Sequence, residues 1–303
     1  MTQSYGFIGL GNLGVHLAGS LLRAGFPLTV HDLNKEAAAP LLARGAGWAD
    51  SAGAAAAQAD AVFTCLPSSK VVAAVLEGEH GILTGLQPGA TWIDMSTNER
   101  NETLRLGALV EQAGGYVLEA PVTGGVHKAA AGEITVLVGG EEALYRAHLS
   151  ALQAMGNPVL YMGPLGSAAI IKVITNMLAF VHLVAAGEAL MLAKRGGLDL
   201  TQAFEAIKAS SGNSFVHETE SQVILNGSYN IGFTMDLACK DLGFAMQLGR
   251  DFGVPLEVAG LVDQTFIRAR QQYGGDAWSS QVVKLLEDAL GTDLRAPGFP
   301  ETL

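Results

Sequence analysis

Lys172 and Asn176 stand four residues apart in a run, Ala168 to Ala193, built mostly of Ala, Ile, Val, Met and Leu. On a helix, positions i and i+4 share a face. A lone lysine on an apolar helix normally carries its ammonium out to solvent. A lysine and an asparagine on one face fit a cleft, where the amine exchanges a proton with a bound oxygen. A lysine at its ordinary pKa is protonated at neutral pH. Burial on an apolar helix is expected to lower that value, the tuning a catalytic lysine needs.

Three other segments carry groups that core building does not require. The first, Gly9-Leu10-Gly11-Asn12-Leu13-Gly14, follows the apolar Gly6-Phe7-Ile8 and precedes a helical pattern from Gly14 to Ala24. Gly9 makes the tight turn, Gly11 lets a pyrophosphate approach the backbone, and Gly14 lets helix and strand pack closely. The helix N-terminus supplies N–H donors and the positive end of its dipole. Asp32 follows Gly9 by 23 residues, at the end of a second apolar run. There it accepts hydrogen bonds from adenosine ribose hydroxyls and repels the extra phosphate of NADP. Leu33 and Asn34 bring no cation to neutralise it, so NAD is the expected cofactor. As a loop acid or an N-cap of the next helix, Asp32 would carry no such meaning.

The second segment, Glu119-Ala120-Pro121-Val122-Thr123-Gly124-Gly125, ends a strand and turns sharply. Its glycines can present consecutive N–H groups to an anion, and Thr123 adds a hydroxyl. A plain β-turn explains this segment equally well when it is taken alone. His127, just past the glycines, reads as a surface-loop histidine near that turn. The third segment, Phe233 to Leu242, contains Lys240-Asp241, which alone could be an ordinary solvated pair.

The elements that must position these groups follow from periodicity. Apolar runs at Gly6–Ile8, Leu28–Val30, Ala61–Cys65, Thr91–Asp94, Tyr116–Ala120 and Ile134–Val138 read as strands. Helical stretches fit between the early ones, at Gly14–Ala24, Lys35–Arg44 and Ala52–Ala59. Strand–helix–strand repetition implies parallel strands with right-handed crossovers. After Gly163-Pro164 the β signals stop, and helical patterns follow at Ala168–Arg195, Leu200–Ala209, Ser214–Leu225, Met235–Phe252 and Leu256–Tyr273. Gly196-Gly197 and Gly253-Val254-Pro255 punctuate them. The expected fold class is α/β. A doubly wound Rossmann domain over residues 1–163 precedes an all-α domain over 164–303, which opens with a long interdomain helix.

Composition limits the partners. The formal net charge of −11 disfavours nucleic acid and anionic membrane surfaces. Cys65 and Cys239 are too far apart in sequence to suggest a disulfide framework or a metal site, and reduced cysteines suit a cytoplasmic protein. Met1 to Tyr5 has no positive charge, and no hydrophobic run precedes Gly6, unlike a signal peptide. The apolar run 168–193 carries Lys172, Asn176, His182 and Glu188, costly groups in lipid, so a mostly buried helix is expected rather than a membrane span.

Taken together and in order, these segments resemble the β-hydroxyacid dehydrogenase family, from Phe7 to about Leu286. The matching parts are the glycine motif, Leu66-Pro67, Asp94-Met95-Ser96-Thr97, Ala120 through Gly125, Gly163 through Lys172 to Asn176, and Lys240-Asp241-Leu242. The resemblance implies hydride transfer between NAD and a small hydroxy acid, with Lys172 as general acid and base. It implies that Gly9, Leu10, Gly11, Asn12, Leu13, Gly14, Asp32 and Leu33 hold the dinucleotide, with Leu66, Pro67 and Thr97 along its nicotinamide half and Lys240 touching it. Thr123, Gly124 and Gly125 would hold the substrate carboxylate. Asn176 would hydrogen-bond the substrate, Phe233 would wall its pocket, and Asp241 would complete the substrate side by fixing the local network. No metal is implied, and a homodimer or homotetramer is expected. The family commonly has serine where Thr123 stands, so the added methyl narrows the pocket or changes its preference. Members often pair two asparagines where this chain has Asn176-Met177. An NADPH-dependent aldehyde-acid reductase and a catalytically silent dinucleotide sensor are the alternatives.

Overall fold

Nine short strands form one sheet in a computed structural model that describes residues 3–303. Met1 and Thr2, part of the N-terminal stretch read above, lie outside the described residues. The strands are β1 (Tyr5–Ile8), β2 (Leu28–His31), β3 (Gly47–Trp48), β4 (Ala61–Thr64) and β5 (Thr91–Asp94). They continue with β6 (Tyr116–Glu119), β7 (Val122–Thr123), β8 (Thr135–Gly140) and β9 (Val159–Gly163). Their order is β3-β2-β1-β4-β5-β6-β8-β7, with β9 also paired to β8. The first six are parallel and give the 3-2-1-4-5-6 order of a dinucleotide-binding sheet. Strand order reverses between β1 and β4, where Ile8 lies level with Thr64 on one side and His31 on the other.

Both faces of this sheet are covered, which is why its strands read as continuous apolar runs. Phe7, Val30 and Phe63 pack on one side with Leu17 and Leu21 of the helix Gly14–Arg23. Ile8, Val62 and Trp92 pack on the other with Leu76, Ile82 and Leu106. The parallel series ends earlier than the sequence pattern implies. β8 runs antiparallel to β6 and β7, because only a tight glycine turn and the six-residue helix Val126–Ala131 separate β7 from it. A parallel return needs a crossover of a dozen or more residues. The helix expected over Lys35–Arg44 is a 3₁₀ turn, Lys35–Ala38, followed by the short helix Ala39–Leu42.

The chain divides into two compact units, residues 1–172 and 173–303. The second unit is helical: Leu200–Lys208, Phe215–Asn226, Met235–Phe252, Glu257–Tyr273 and Lys284–Leu290, around Phe180, Phe204, Ile224, Leu242 and Phe266. Side-chain oxygens of Asp199, Ser214 and Thr234 cap the first three of these by accepting backbone N–H bonds. Gly227 and Gly253 end two of them with positive φ. The division falls within the long helix Ser167–Arg195. That helix is less covered than its composition suggests. Only 33% of its most apolar window is buried, and Ile174, Leu178 and Leu192 are exposed. The expectation of a mostly buried helix is therefore corrected: its apolar residues surround the helix instead of lining one stripe.

Candidate active site

In the first unit the site begins at the strand-order reversal. Gly9 has φ +94°, and a Cβ there would come 2.3 Å from the Cys65 carbonyl oxygen. Only glycine fits, on both conformational and steric grounds. At Gly14 an added Cβ would meet the Gly9 carbonyl oxygen at 2.0 Å. Gly11 differs: nothing lies within 4 Å of its added Cβ. Its missing side chain serves no contact within the protein. The open backbone there, beside the start of a helix, fits a pyrophosphate. Leu10, Asn12 and Leu13 complete this loop, with Leu10 buried beneath it and Asn12 exposed.

Asp32 closes the other side. Its Oδ2 accepts from the Leu10 backbone N–H at 2.6 Å and its Oδ1 from the Asn34 N–H at 2.8 Å. The carboxylate thus ties the end of β2 to the glycine loop and remains partly accessible. Leu33 is 100% exposed, an apolar surface beside that acid. Leu66 and Pro67 follow β4, and the Leu66 N–H is held by Ser96 Oγ at 2.9 Å. Half-buried Thr97 follows Ser96. The amide Nδ2 of the next residue, Asn98, is buried without a hydrogen-bond partner. Toward Asp94 that amide acts as a hydrogen-bonding neighbour that lowers the carboxyl pKa. An orphaned donor beside the loops after β4 and β5, together with the open approach at Gly11, fits a dinucleotide lying along these strand ends.

Thr123, Gly124 and Gly125 form the turn leaving β7, with φ of +127° and +90° at the two glycines. Both conformations favour glycine. His127 and Lys128 fold back over it. A Cβ on Gly124 would lie 3.2 Å from the Lys128 stem, and one on Gly125 would lie 3.1 Å from the His127 ring. His127 is therefore half-buried in a short helix, not a loop histidine. Burial lowers its pKa, and Lys128 adds to the effect.

Lys172 is 7% exposed on the long helix. Asn176, one turn further along that helix, donates Nδ2–H to Asp241 Oδ2 at 2.6 Å. Lys240 Nζ lies 2.9 Å from Asp241 Oδ1. Asp241 is 1% exposed, so Lys240-Asp241 is not a solvated surface pair, and Asp241 joins Asn176 to Lys240. Lys240 also lies 5.0 Å from the centre of the Phe244 ring. Phe233 is half-buried against Phe180, with ring centres 6.1 Å apart.

Glu119, quoted in the sequence but given no role there, is the principal addition. It ends β6, is buried, and accepts three backbone N–H bonds from Gly166, Ala168 and Ala169. Burial raises its pKa to about 7; the three bonds oppose this, and Asp94 pushes it further up. Asp94, level with it on β5, is raised to about 6, chiefly by burial. An acid closing the apolar run Tyr116-Val117-Leu118 was the available signal. Among the described residues, no group of three or more His, Cys, Asp and Glu side chains is placed to hold a metal ion.

A family model described as the NAD binding domain of 6-phosphogluconate dehydrogenase matches residues 4–163. A second, the NAD-binding domain of NADP-dependent 3-hydroxyisobutyrate dehydrogenase, matches residues 166–286. The chain is 32% identical to 2-(hydroxymethyl)glutarate dehydrogenase of Eubacterium barkeri, over 95% of this chain and 96% of that one. It is 33% identical to mouse mitochondrial 3-hydroxyisobutyrate dehydrogenase, over 86% and 80% of the two chains. The structure of Mycobacterium tuberculosis 3-hydroxyisobutyrate dehydrogenase with L-serine superposes with a TM-score of 0.85 at 30% identity, covering 94% of this chain and 99% of that one. Glycine loop, strand order and end-to-end similarity converge: this chain belongs to the β-hydroxyacid dehydrogenase family of nicotinamide-dependent oxidoreductases.

Proposed function

We propose that this enzyme oxidises the hydroxyl of a small β-hydroxy acid with NAD, and that Lys172 takes the hydroxyl proton. One observation carries the role of the lysine. Its side chain is 7% exposed, and Asn176, one turn further along the helix, is held by a buried carboxylate. As the free amine, Lys172 accepts the proton of the substrate hydroxyl. In the reverse direction the ammonium donates that proton and stabilises the developing alkoxide. Thr123 and the N–H groups of Gly124 and Gly125 hold the substrate carboxylate, Asn176 hydrogen-bonds the substrate, and Phe233 walls the pocket. Lys240 reaches the dinucleotide, and Asp241 holds Asn176 and Lys240 in place. When bound, the dinucleotide supplies the acceptor for the hydride leaving the carbinol carbon.

Asp32 supports NAD over NADP. Its carboxylate stands at the end of β2, where ribose hydroxyls would be received and a 2′-phosphate repelled. The substrate class follows from the relatives: 2-(hydroxymethyl)glutarate and 3-hydroxyisobutyrate both carry a hydroxymethyl group on the carbon next to a carboxylate. Thr123 adds a methyl beside that carboxylate site. The protein is proposed to be cytoplasmic and homo-oligomeric, with no nucleic-acid or membrane partner.

NADH formation, followed by absorbance, tests this reading against 3-hydroxyisobutyrate, 2-(hydroxymethyl)glutarate, glycerate, serine, 3-hydroxypropionate, 4-hydroxybutyrate and threonate. Turnover is expected with at least one of them, with kcat/KM for NAD about tenfold or more above that for NADP, as one repelled phosphate implies. A preference for NADP overturns the cofactor assignment. NAD binding without turnover across the panel returns the reading to a silent sensor.

A further inference from the structure

The long helix begins on a carboxylate. Glu119 Oε1 accepts from the Gly166 N–H at 2.6 Å and the Ala168 N–H at 2.8 Å, and Oε2 accepts from the Ala169 N–H at 2.9 Å. These are donors that the first turn of a helix leaves without intrahelical partners. Ser167 N–H donates instead to the Pro164 carbonyl at 3.0 Å, and Ile170 N–H makes a helical bond to Gly166 at 3.2 Å. Three of the five donors from Gly166 to Ile170 therefore converge on one side chain.

That side chain is fixed from the sheet. Glu119 is 3% exposed and pairs with Gly139 across β6 and β8. Gly139 provides the slot: a Cβ there would meet Glu119 Oε1 at 2.3 Å and its Cδ at 3.0 Å. Four residues beyond Glu119, β7 reaches the Thr123-Gly124-Gly125 turn. Lys172 lies three residues beyond Ala169, about 4.5 Å along the helix axis. One buried acid thus stands between the turn proposed for the substrate carboxylate and the helix turn bearing the proposed proton-transfer lysine.

We propose that Glu119 is a positioning residue of the reaction, setting the Lys172 amine against the Thr123–Gly125 turn by anchoring the first turn of the long helix. It is too buried to touch substrate and acts through Lys172. The inference rests on the reading of Lys172 given above. A merely structural cap would contribute stability and leave the turnover of folded enzyme unchanged.

The test compares Glu119→Gln, Glu119→Asp and Gly139→Ala with wild type at a temperature where each is folded by circular dichroism, using 3-hydroxyisobutyrate and NAD. Glu119→Gln keeps the size but turns an amide NH₂ toward backbone donors. It is expected to lower kcat by about 10- to 100-fold, the scale of a small misplacement of a reacting group. NAD affinity by fluorescence titration should stay within about twofold, since the glycine loop is untouched. Gly139→Ala, which touches neither substrate nor cofactor, should reproduce the split by displacing the carboxylate. Glu119→Asp keeps the charge with a shorter reach and should fall between wild type and Glu119→Gln; it keeps the test open if either other variant fails to fold. A kcat within twofold of wild type in folded Glu119→Gln or Gly139→Ala that has lost thermal stability overturns the proposal, as does a folded Glu119→Asp slower than Glu119→Gln. Lys172→Ala, run in parallel, separates the two readings. If it retains turnover, the lysine assignment fails; if it is inactive while Glu119→Gln is not, only the anchor is wrong.

Discussion

At the residue scale, the three glycines of the first loop give separable predictions. Gly11→Ala adds a methyl into open space, so the free protein should keep its melting temperature within a degree or two while NAD affinity drops about tenfold or more. Gly14→Ala drives a methyl into the Gly9 carbonyl, so it should lose thermal stability even without NAD. Equal destabilisation of the two free proteins would contradict the division of labour. This division was legible from the motif's position between strand and helix. The part played by Asp241 came only with the family resemblance. Taken alone, Lys240-Asp241 could be a solvated pair, whereas Asp241 is buried on Asn176, a contact between residues 65 positions apart that no local pattern encodes. Glu119 escaped for the same reason: its partners, Gly166 to Ala169, are about 50 residues away and contribute only backbone N–H groups, which have no residue signature.

At the element scale, periodicity gave the long helices and the central parallel strands, because both are set by local burial. It did not give the direction of β8, since an apolar run reads the same either way and only the shortness of the preceding connection reverses it. β3 and β9 also escaped, one being two residues long and the other having no fully buried residue. The helix Glu142–Met155 packs on this sheet through His148, which lies 3.3 Å from the Tyr5 hydroxyl and 3.1 Å from Thr91 Oγ1. Tyr5 donates its own proton to Gln3, so the ring donates to Tyr5 from Nδ1 and accepts from Thr91 at Nε2 as a neutral imidazole. Burial pushes its pKa from 6.5 down to about 4. A base with a depressed folded-state pKa leaves stability intact above pH 6.5 and removes it as pH falls from 6.5 to 4, because the unfolded chain then binds the extra proton. Wild type should lose roughly 2–3 kcal/mol over that window through this one group, and His148→Gln should lose less. Urea unfolding at pH 7 and pH 4.5 measures the difference; identical losses in the two proteins would contradict it.

At the scale of the whole molecule, exposed apolar residues recur on the helices of the second half: Leu178 and Leu192 on the long helix, Val258 and Leu261 on Glu257–Tyr273. A closed homo-oligomer, the commonest form of association, is the expected state. Light scattering at micromolar concentration should give a mass two or four times 31.4 kDa; a monomer would refute the expectation. The net charge of −11 predicts no retention on heparin, a polyanion that mimics nucleic acid.

Proton transfer in this enzyme depends on one amine, and single-turnover kinetics of Lys172→Ala measures that dependence. With 3-hydroxyisobutyrate and saturating NAD, the rate of NADH formation should fall by about 10²–10⁴-fold, the range for loss of a general base, while the dissociation constant for NAD stays near that of wild type. A variant that forms NADH within a few-fold of the wild-type rate would show that the proton leaves by another route.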